Sequence, residues 1–348
     1  MFNFSETKIK KLIVHSIGNK AEEQGIILSN SEIEIKDEAV ENILLSYFLK
    51  SFKTDEFYHF DLEQEATSLE VMNSVSNIFE NEDEFYVQSA NIANHLYEVS
   101  VHPNIKRGEL YFVHLTNCLV GDVRTDAIGI FKSENKDTYI KIFQQNDSFE
   151  IGCDNGININ KLDKGCLLFN VYADQGYKIS IIDKTNANKE ALYWKEDFLK
   201  VLPWEDNYFI TSNFLDLCKA FGEQVLTEDN NVERTEKIDF MNKSIDFFKD
   251  NKEFTIDRFN NKVISNDEVV NEFKNYIIDI AAERNFMPPE QFSISENAVK
   301  NSKKYFKSVI KLDKNFHVYV HSKSEFIEKG YDDLRKLKYY KLYFDSES

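Results

Sequence analysis

Between Arg107 and Lys184 successive segments are apolar on both sides of an extended backbone, and this limits the available folds more than any other feature of the chain. In RGELYFVHLTNCLVG, Leu110, Phe112 and His114 alternate with Tyr111, Val113 and Leu115. A strand of this kind needs cover on both faces, so it belongs inside a sheet with layers above and below it. Ala127 to Phe131 and Cys166 to Val171 are equally continuous. The stretch reads as a run of about five strands with short breaks. TYIKIFQQ is its most amphipathic strand. Asn146 to Lys164, which contains CDNGININ, reads as a turn-rich loop.

Helical patterns lie on either side. Upstream, KLIVHSIG and QGIILS read as two strands. Lys36 to Phe52, Ser68 to Phe79 and Glu84 to Val99 then carry apolar residues at helical spacing, and Pro103 breaks the third helix. Downstream, LYWKEDFLKVL, FLDLCKAFGEQVL, ERTEKIDFMNKSIDFFKD and VVNEFKNYIIDI are amphipathic. Pro288 and Pro289 interrupt the pattern. A last unit follows, read as a helix over 295–311, strand FHVYVHS, short helix SEFIEKG and strand KYYKLYF. The expected fold class is α+β: a central, mainly antiparallel sheet flanked by helices, a helical second half and a small C-terminal α-β-α-β unit. The expected domains are 1–186, with acidic helices and the core sheet, and 187–348, mainly helical with the basic end.

With 42% hydrophobic and 14% aromatic residues, the 348-residue chain has ample material for a core. No apolar run approaches the roughly 20 residues that cross a bilayer. The first twenty residues lack the apolar run and cleavage site of a signal peptide, so a cytoplasmic protein without a membrane partner is expected. Cys118, Cys153, Cys166 and Cys218 are widely spaced and read as buried free thiols.

Charge is polarised along the chain. The formal net charge is −18, so this is an acidic protein. From Thr54 to Ser100 there are eleven acids and no Lys or Arg. From Lys300 to Lys341 there are twelve Lys or Arg and five acids. Lys300, Lys304, Lys307 and Lys311 fall on one stripe of the expected helix, with Lys303 beside it. Like charges at these spacings repel, and a polyanion lying across them would relieve the repulsion. The same pattern is also that of an ordinary solvated helix face. Lys338 and Lys341 follow on the last strand, among Tyr339, Tyr340 and Tyr343. That strand would suit stacking on bases and would equally suit an exposed sheet edge.

Catalytic and metal signals are weak. His95, His102 and His114 match no metal-ligand spacing, so neither metal nor cofactor is expected. His59 with Asp61 has the spacing that strand alternation produces by itself. Asp122 and Asp126 followed by Glu134 and Lys136 have the order of a metal-dependent nuclease, but SENKD reads as a polar turn and not as the strand that chemistry needs. Phosphate-loop, dinucleotide and nucleophile-elbow motifs are missing. The chain is therefore expected to be non-enzymatic.

HPNIKRGELYFVHLTNCLV, TDAIGIFKSE and ININKLDKGCLLFN, with FMNKSIDFF, FKNY, IEKGYDD and YYKLYF after them, resemble the nucleoid-associated protein family typified by YejK/NdpA. The resemblance spans nearly the whole chain and is strongest over 100–185. It implies a bacterial protein of the cytoplasm and nucleoid that binds DNA. It supplies no catalytic motif and no binding residues. The assignment of Lys300, Lys303, Lys304, Lys307, Lys311, Lys338 and Lys341 to DNA therefore rests on charge and spacing. The expected function is non-specific DNA binding through this basic face. The alternative is a module whose acidic helices at 54–100 dock a basic DNA-processing protein such as a topoisomerase, and a metal-dependent nuclease is the remote third reading. A homodimer is compatible with each.

Overall fold

A computed structural model describes residues 2–183, 193–230, 232–264, 266–284, 286–306, 309–320 and 326–346. The chain divides into two compact units, Met1–Trp204 and Glu205–Ser348.

The first unit contains β1 (Phe2–Asn3), β2 (Lys8–Ile17), β3 (Ile26–Ile27), α1 (Glu38–Leu49), β4 (Tyr58–Phe60), α2 (Glu70–Glu80) and α3 (Phe85–Val99). It continues with β5 (Gly108–Val120), β6 (Val123–Ser133), β7 (Asp137–Gln145), β8 (Ser148–Gly156), β9 (Lys164–Phe169), β10 (Lys178–Asp183) and β11 (Val201–Pro203). Nine of these strands form one antiparallel sheet in the order β11-β4-β10-β9-β6-β5-β2-β3, with β1 paired to the far end of β5. The remaining two, β7 and β8, pair with each other and, among the described residues, with no other strand.

Alternation along the strands builds two cores. Phe112, Ile128, Ile130, Cys166, Leu168 and Ile179 face α2 and α3, where Val75, Ile78, Phe85, Ile92 and Leu96 meet them. Trp194 and Phe198, on a π-helical turn at Tyr193–Leu199, close the same layer. Val113, Leu115, Ala127, Phe131, Leu167 and Phe169 face α1 and its following turn through Tyr47, Phe48 and Phe52. Each of these large side chains contributes about 1.5–3 kcal/mol by leaving water. The Phe131 ring stacks on Phe48, with centroids 4.5 Å apart and an interplanar angle of 9°. It lies over two glycines: a Cβ on Gly129 would stand 2.5 Å from the ring, and one on Gly165 would stand 2.7 Å from it.

Several expectations need correction here. Ser148–Gly156 is a strand, not part of a turn-rich loop, because it alternates well enough to pair along the whole length of β7. From Tyr193 on, LYWKEDFLKVL forms a single π-helical turn and then enters β11, which joins the first unit's sheet edge; Leu192 lies outside the described residues. Cys118, Cys166 and Cys218 are buried and Cys153 is exposed, since it lies on the β7–β8 hairpin, whose residues are nearly all exposed. Burial pushes the Cys118 thiol up to about 12, so that side chain behaves as a small apolar group.

The second unit holds α4 (Asn207–Gln224), α5 (Arg234–Asp250), β12 (Glu253–Thr255), α6 (Ile256–Val263), α7 (Asp267–Arg284), β13 (Gln291–Ser293) and α8 (Glu296–Ser302). Asp206 starts α4 by accepting from the backbone N–H groups of Tyr208 and Phe209 at 2.9 and 3.2 Å. The core is largely phenylalanine. Phe214 sits among Phe248, Phe254, Phe259, Phe273 and Phe292, mostly tilted or edge-on, as the ring quadrupole favours. Two hairpins end the chain: β14 (Val309–Leu312) with β15 (Phe316–Tyr319), and β16 (Ile327–Asp332) with β17 (Leu337–Leu342). Ile310 and Val320 pack with Ile238 of α5 beneath them, and Ile327 and Tyr340 rest on that cluster.

The C-terminal unit therefore departs from the α-β-α-β order. The helix read over 295–311 stops at Ser302 and tightens to a 3-10 turn at Lys303–Tyr305. Val309–Leu312 is extended, as its β-branched Val and Ile favour, and stacked ammonium groups give a longer helix nothing to gain. IEKG of the expected helix SEFIEKG is strand; the preceding residues 321–325 lie outside the described residues.

Phe131→Ala should cost the first unit about 3–5 kcal/mol. Both tryptophans, Trp194 and Trp204, belong to that unit, so their fluorescence in a urea titration reads it selectively. A midpoint unchanged from the parent would contradict the stacking described here.

Candidate nucleic-acid interface

The basic residues lie on three elements. Ser295 caps α8, accepting from the Ala298 N–H at 3.4 Å, as its position in the sequence suggests. Ala298 and Val299 are buried, and Asn301 ties the helix to α4 by donating to the Tyr208 hydroxyl at 3.0 Å. This anchoring leaves Lys300 exposed in the last turn, with Lys303 and Lys304 exposed on the 3-10 turn. Lys307 lies outside the described residues. Lys311 stands on β14 opposite His317, and its side chain lies outside the description. Lys300, Lys303 and Lys304 thus share one helix end, and no single four-lysine stripe forms.

Tyr305 is the centre of that end. The residue is 52% exposed. The Lys304 ammonium lies 4.7 Å from the ring centroid, and the Lys219 ammonium from α4 lies 5.2 Å away. Lys219 was missed in the sequence because it precedes the basic segment by more than eighty residues, and no local pattern marks it. A half-exposed ring with cations beside it can stack on a base while the ammonium groups meet phosphates.

On the last hairpin, directly opposed residues share a face. Glu328 with Lys341, Gly330 with Tyr339, and Asp332 with Leu337 form one face; Lys329 with Tyr340 and Tyr331 with Lys338 form the other. Lys338 and Lys341 are therefore on opposite faces. Tyr339 lies flat on Gly330, where a Cβ would come within 2.3 Å of the ring. Lys341 leans toward that ring at 5.5 Å and toward Glu328 at 4.0 Å. Lys329 is held by Glu228 at 3.0 Å, a contact that also keeps that carboxyl below its usual range. Arg335 and Lys336 are exposed in the connecting turn.

A cavity of about 520 Å³ lies between α4, α5 and the 3-10 turn. It presents Glu223, Glu228 and Asp229 against Arg234 and Lys237, a mixture of signs that does not select an anion.

In the first unit, most of the acids of 54–100 stand on exposed outer faces. Some are neutralised locally: Glu82 by Lys10, Glu98 by Lys20, and Glu70 by Lys200 at 3.6 Å. Glu63, Glu65, Glu80 and Asp83 have no cationic partner among the described residues.

The nuclease-like residues separate. Asp126 meets His114 at 3.1 Å near one end of β6, and Glu134 follows the other end. Eight residues of extended chain hold them about 25 Å apart, too far to share a metal. Glu134 instead pairs with Lys132 at 2.8 Å, with side chains only 4% and 0% exposed. Burial lowers the affinity of Lys132 for its proton, and Glu134 works against that. Lys136 reaches Glu109 at 2.5 Å. His95 bonds the Phe198 carbonyl at 3.1 Å, and His102 accepts from the Asn104 N–H at 3.2 Å. His59 meets the Phe60 carbonyl at 2.9 Å, while Asp61 accepts from the Glu63 N–H at 3.1 Å, so these two do not act as a pair. Among the described residues no three metal-ligating side chains converge, and no helix is long and apolar enough to cross a membrane.

Glu134→Ala should destabilise the first unit by about 3–5 kcal/mol by stranding the Lys132 charge. Urea unfolding followed by tryptophan fluorescence checks it; a loss of less than about 1 kcal/mol would remove the buried pair from the account.

A comparison with curated proteins finds no match. The family model described as nucleoid-associated protein YejK matches residues 13–335. That span takes in the inner strands β5, β6 and β9, the phenylalanine core, the β14–β15 hairpin and β16, and the chain belongs to this family of nucleoid-associated proteins.

Proposed function

We propose that this protein binds DNA with little sequence preference through the phosphate backbone. The contact is made by the helix end carrying Lys300, Lys303 and Lys304 around Tyr305, helped by the last hairpin. The observation that carries this reading is the cluster itself: three exposed lysines and an exposed tyrosine across the last turn of α8 and the 3-10 turn after it, with a fourth cation, Lys219, brought in from α4. Family membership supports it independently. Lysine acts here as a point charge, which attracts any phosphate and reads no base. The acidic helices would keep the rest of the surface off the polyanion and set the orientation of approach. Location at the nucleoid, in the cytoplasm of a bacterium, follows from this reading, and the chemistry requires no catalytic group.

The opposite faces of the last hairpin make the proposal specific. Only one of Lys338 and Lys341 can lie beside a rod-like polyanion docked on a single hairpin face. In a gel-shift titration, Lys300→Glu with Lys303→Glu and Lys304→Glu should weaken binding at least a hundredfold at low salt. Lys338→Glu and Lys341→Glu, made separately, should differ from each other by tenfold or more. Unchanged affinity in the triple variant would rule out the helix end.

A second reading rests on Glu63, Glu65, Glu80 and Asp83, exposed acids without a cationic partner among the described residues. These suit a basic protein that itself handles DNA. Capture of such a partner that survives nuclease digestion, and that is lost in Glu80→Lys with Asp83→Lys, would favour this reading; capture abolished by nuclease would exclude it.

A further inference from the structure

The β7–β8 hairpin is folded but uncovered. All nine residues of β7 are exposed, and β8 is nearly so. An isolated two-stranded hairpin is at best marginal in water, because one ladder of hydrogen bonds does not repay the ordering of the chain. This one also carries large apolar groups. Ile140, Ile142, Phe149 and Ile151 are 71%, 67%, 70% and 76% exposed.

Register sorts its side chains cleanly. Ile140 opposes Cys153, Ile142 opposes Ile151, and Gln144 opposes Phe149, so all of these lie on one face. The other face holds Tyr139 with Asp154, Lys141 with Gly152, and Phe143 with Glu150. On that second face the rings and charges find partners within the hairpin. Tyr139 and Phe143 lie against Gly156 and Gly152, each of which would bring a Cβ within 2.9 Å of the neighbouring ring, and Lys141 pairs with Asp154 at 2.8 Å. Every charge on the two strands falls on this second face. The Ile–Phe–Cys face bears none.

We infer that the uncharged face of the β7–β8 hairpin is a self-association surface, packing against the same hairpin of a second copy of this chain. The occupant follows from charge. A two-fold contact brings the same patch of each copy together, so in a chain with a net charge of −18 such a contact through the acidic helices, or through the basic end, sets like charges against each other. A face with no Asp, Glu, Lys, Arg or His lets two copies meet without burying like charges or stranding a cation. A basic partner would find no counter-charge on this face. The contact is isologous, since one patch supplies both sides of a two-fold axis. Two such faces stack as a small four-stranded sandwich about 10 Å thick, with Ile142 and Ile151 at its centre.

Area sets the strength. Nine residues at about 3.4 Å each and two strands about 4.8 Å apart give a face of roughly 300 Å² in projection. A standard interface takes about 800 Å² from each partner. The association is therefore weak and concentration-dependent, roughly micromolar or weaker.

Sedimentation equilibrium of the full chain from about 1 to 100 μM, a range suited to so small an interface, tests this. The parent should pass reversibly from monomer to dimer. Ile142→Lys with Ile151→Lys should weaken the dimer at least tenfold with unchanged circular dichroism, since both residues are exposed. Glu150→Lys, on the other face, should leave it intact. Cys153 supplies a second readout: alkylation of its thiol should slow as protein concentration rises. A parent that stays monomeric throughout overturns the proposal. So does a double variant that dimerises like the parent, or a dimer in which Cys153 alkylates at a concentration-independent rate.

Discussion

Burial of both faces of β5, β6 and β9 is the constraint on which the first unit depends. A strand that is apolar on both sides cannot face water, so α1 must cover one side and α2 and α3 the other. The Phe131 ring shows how closely this is met. It needs Phe48 above it and the missing side chains of Gly129 and Gly165 below it. Helices held this way turn their polar sides outward, and that is why the acids of 54–100 form exposed surface.

The same sheet also carries the chain's most unusual buried chemistry. Lys132 and Lys164 are neighbours across β6 and β9, and each faces a carboxylate, Glu134 at 2.8 Å and Asp183 at 2.9 Å. Two opposed ion pairs in a low-dielectric interior are a poor source of net stability and a strong source of specificity, because any shift in strand register would strand a charge. This gives Glu134 a structural task. The acid that looked nuclease-like in sequence is used to hold the end of a strand.

Much of this was legible in the sequence. Two-faced apolar runs identified the inner strands, and helical spacing identified α1, α2 and α3; pattern and burial agree along α2 and α3, whereas in α1 only the last turn, Tyr47 to Leu49, is buried and Val40 and Ile43 are exposed. The sequence misled where local pattern and tertiary context part. The 148–156 segment mixes Gly, Asn and Asp with alternating apolar residues, and the alternation prevailed because β7 offered a matching partner. Lysines at helical spacing over 300–311 suggested one long helix, yet the extended preference of Val309 and Ile310 ended it within two turns. The candidate interface was found in part. Lys300, Lys303 and Lys304 come from charge counting, whereas Lys219 reaches Tyr305 only through the packing of α8 on α4.

The central claim is that an acidic nucleoid-associated protein meets DNA directly, through a small basic end and with phosphate as its ligand. Salt dependence tests this most directly, because every phosphate contact releases counterions. Affinity of the purified protein for a duplex of arbitrary sequence, measured across a series of salt concentrations, should fall linearly on logarithmic axes. Three contacts from Lys300, Lys303 and Lys304 alone give a slope of about −2.7, steeper if the hairpin joins. An affinity that does not change with salt would contradict the claim.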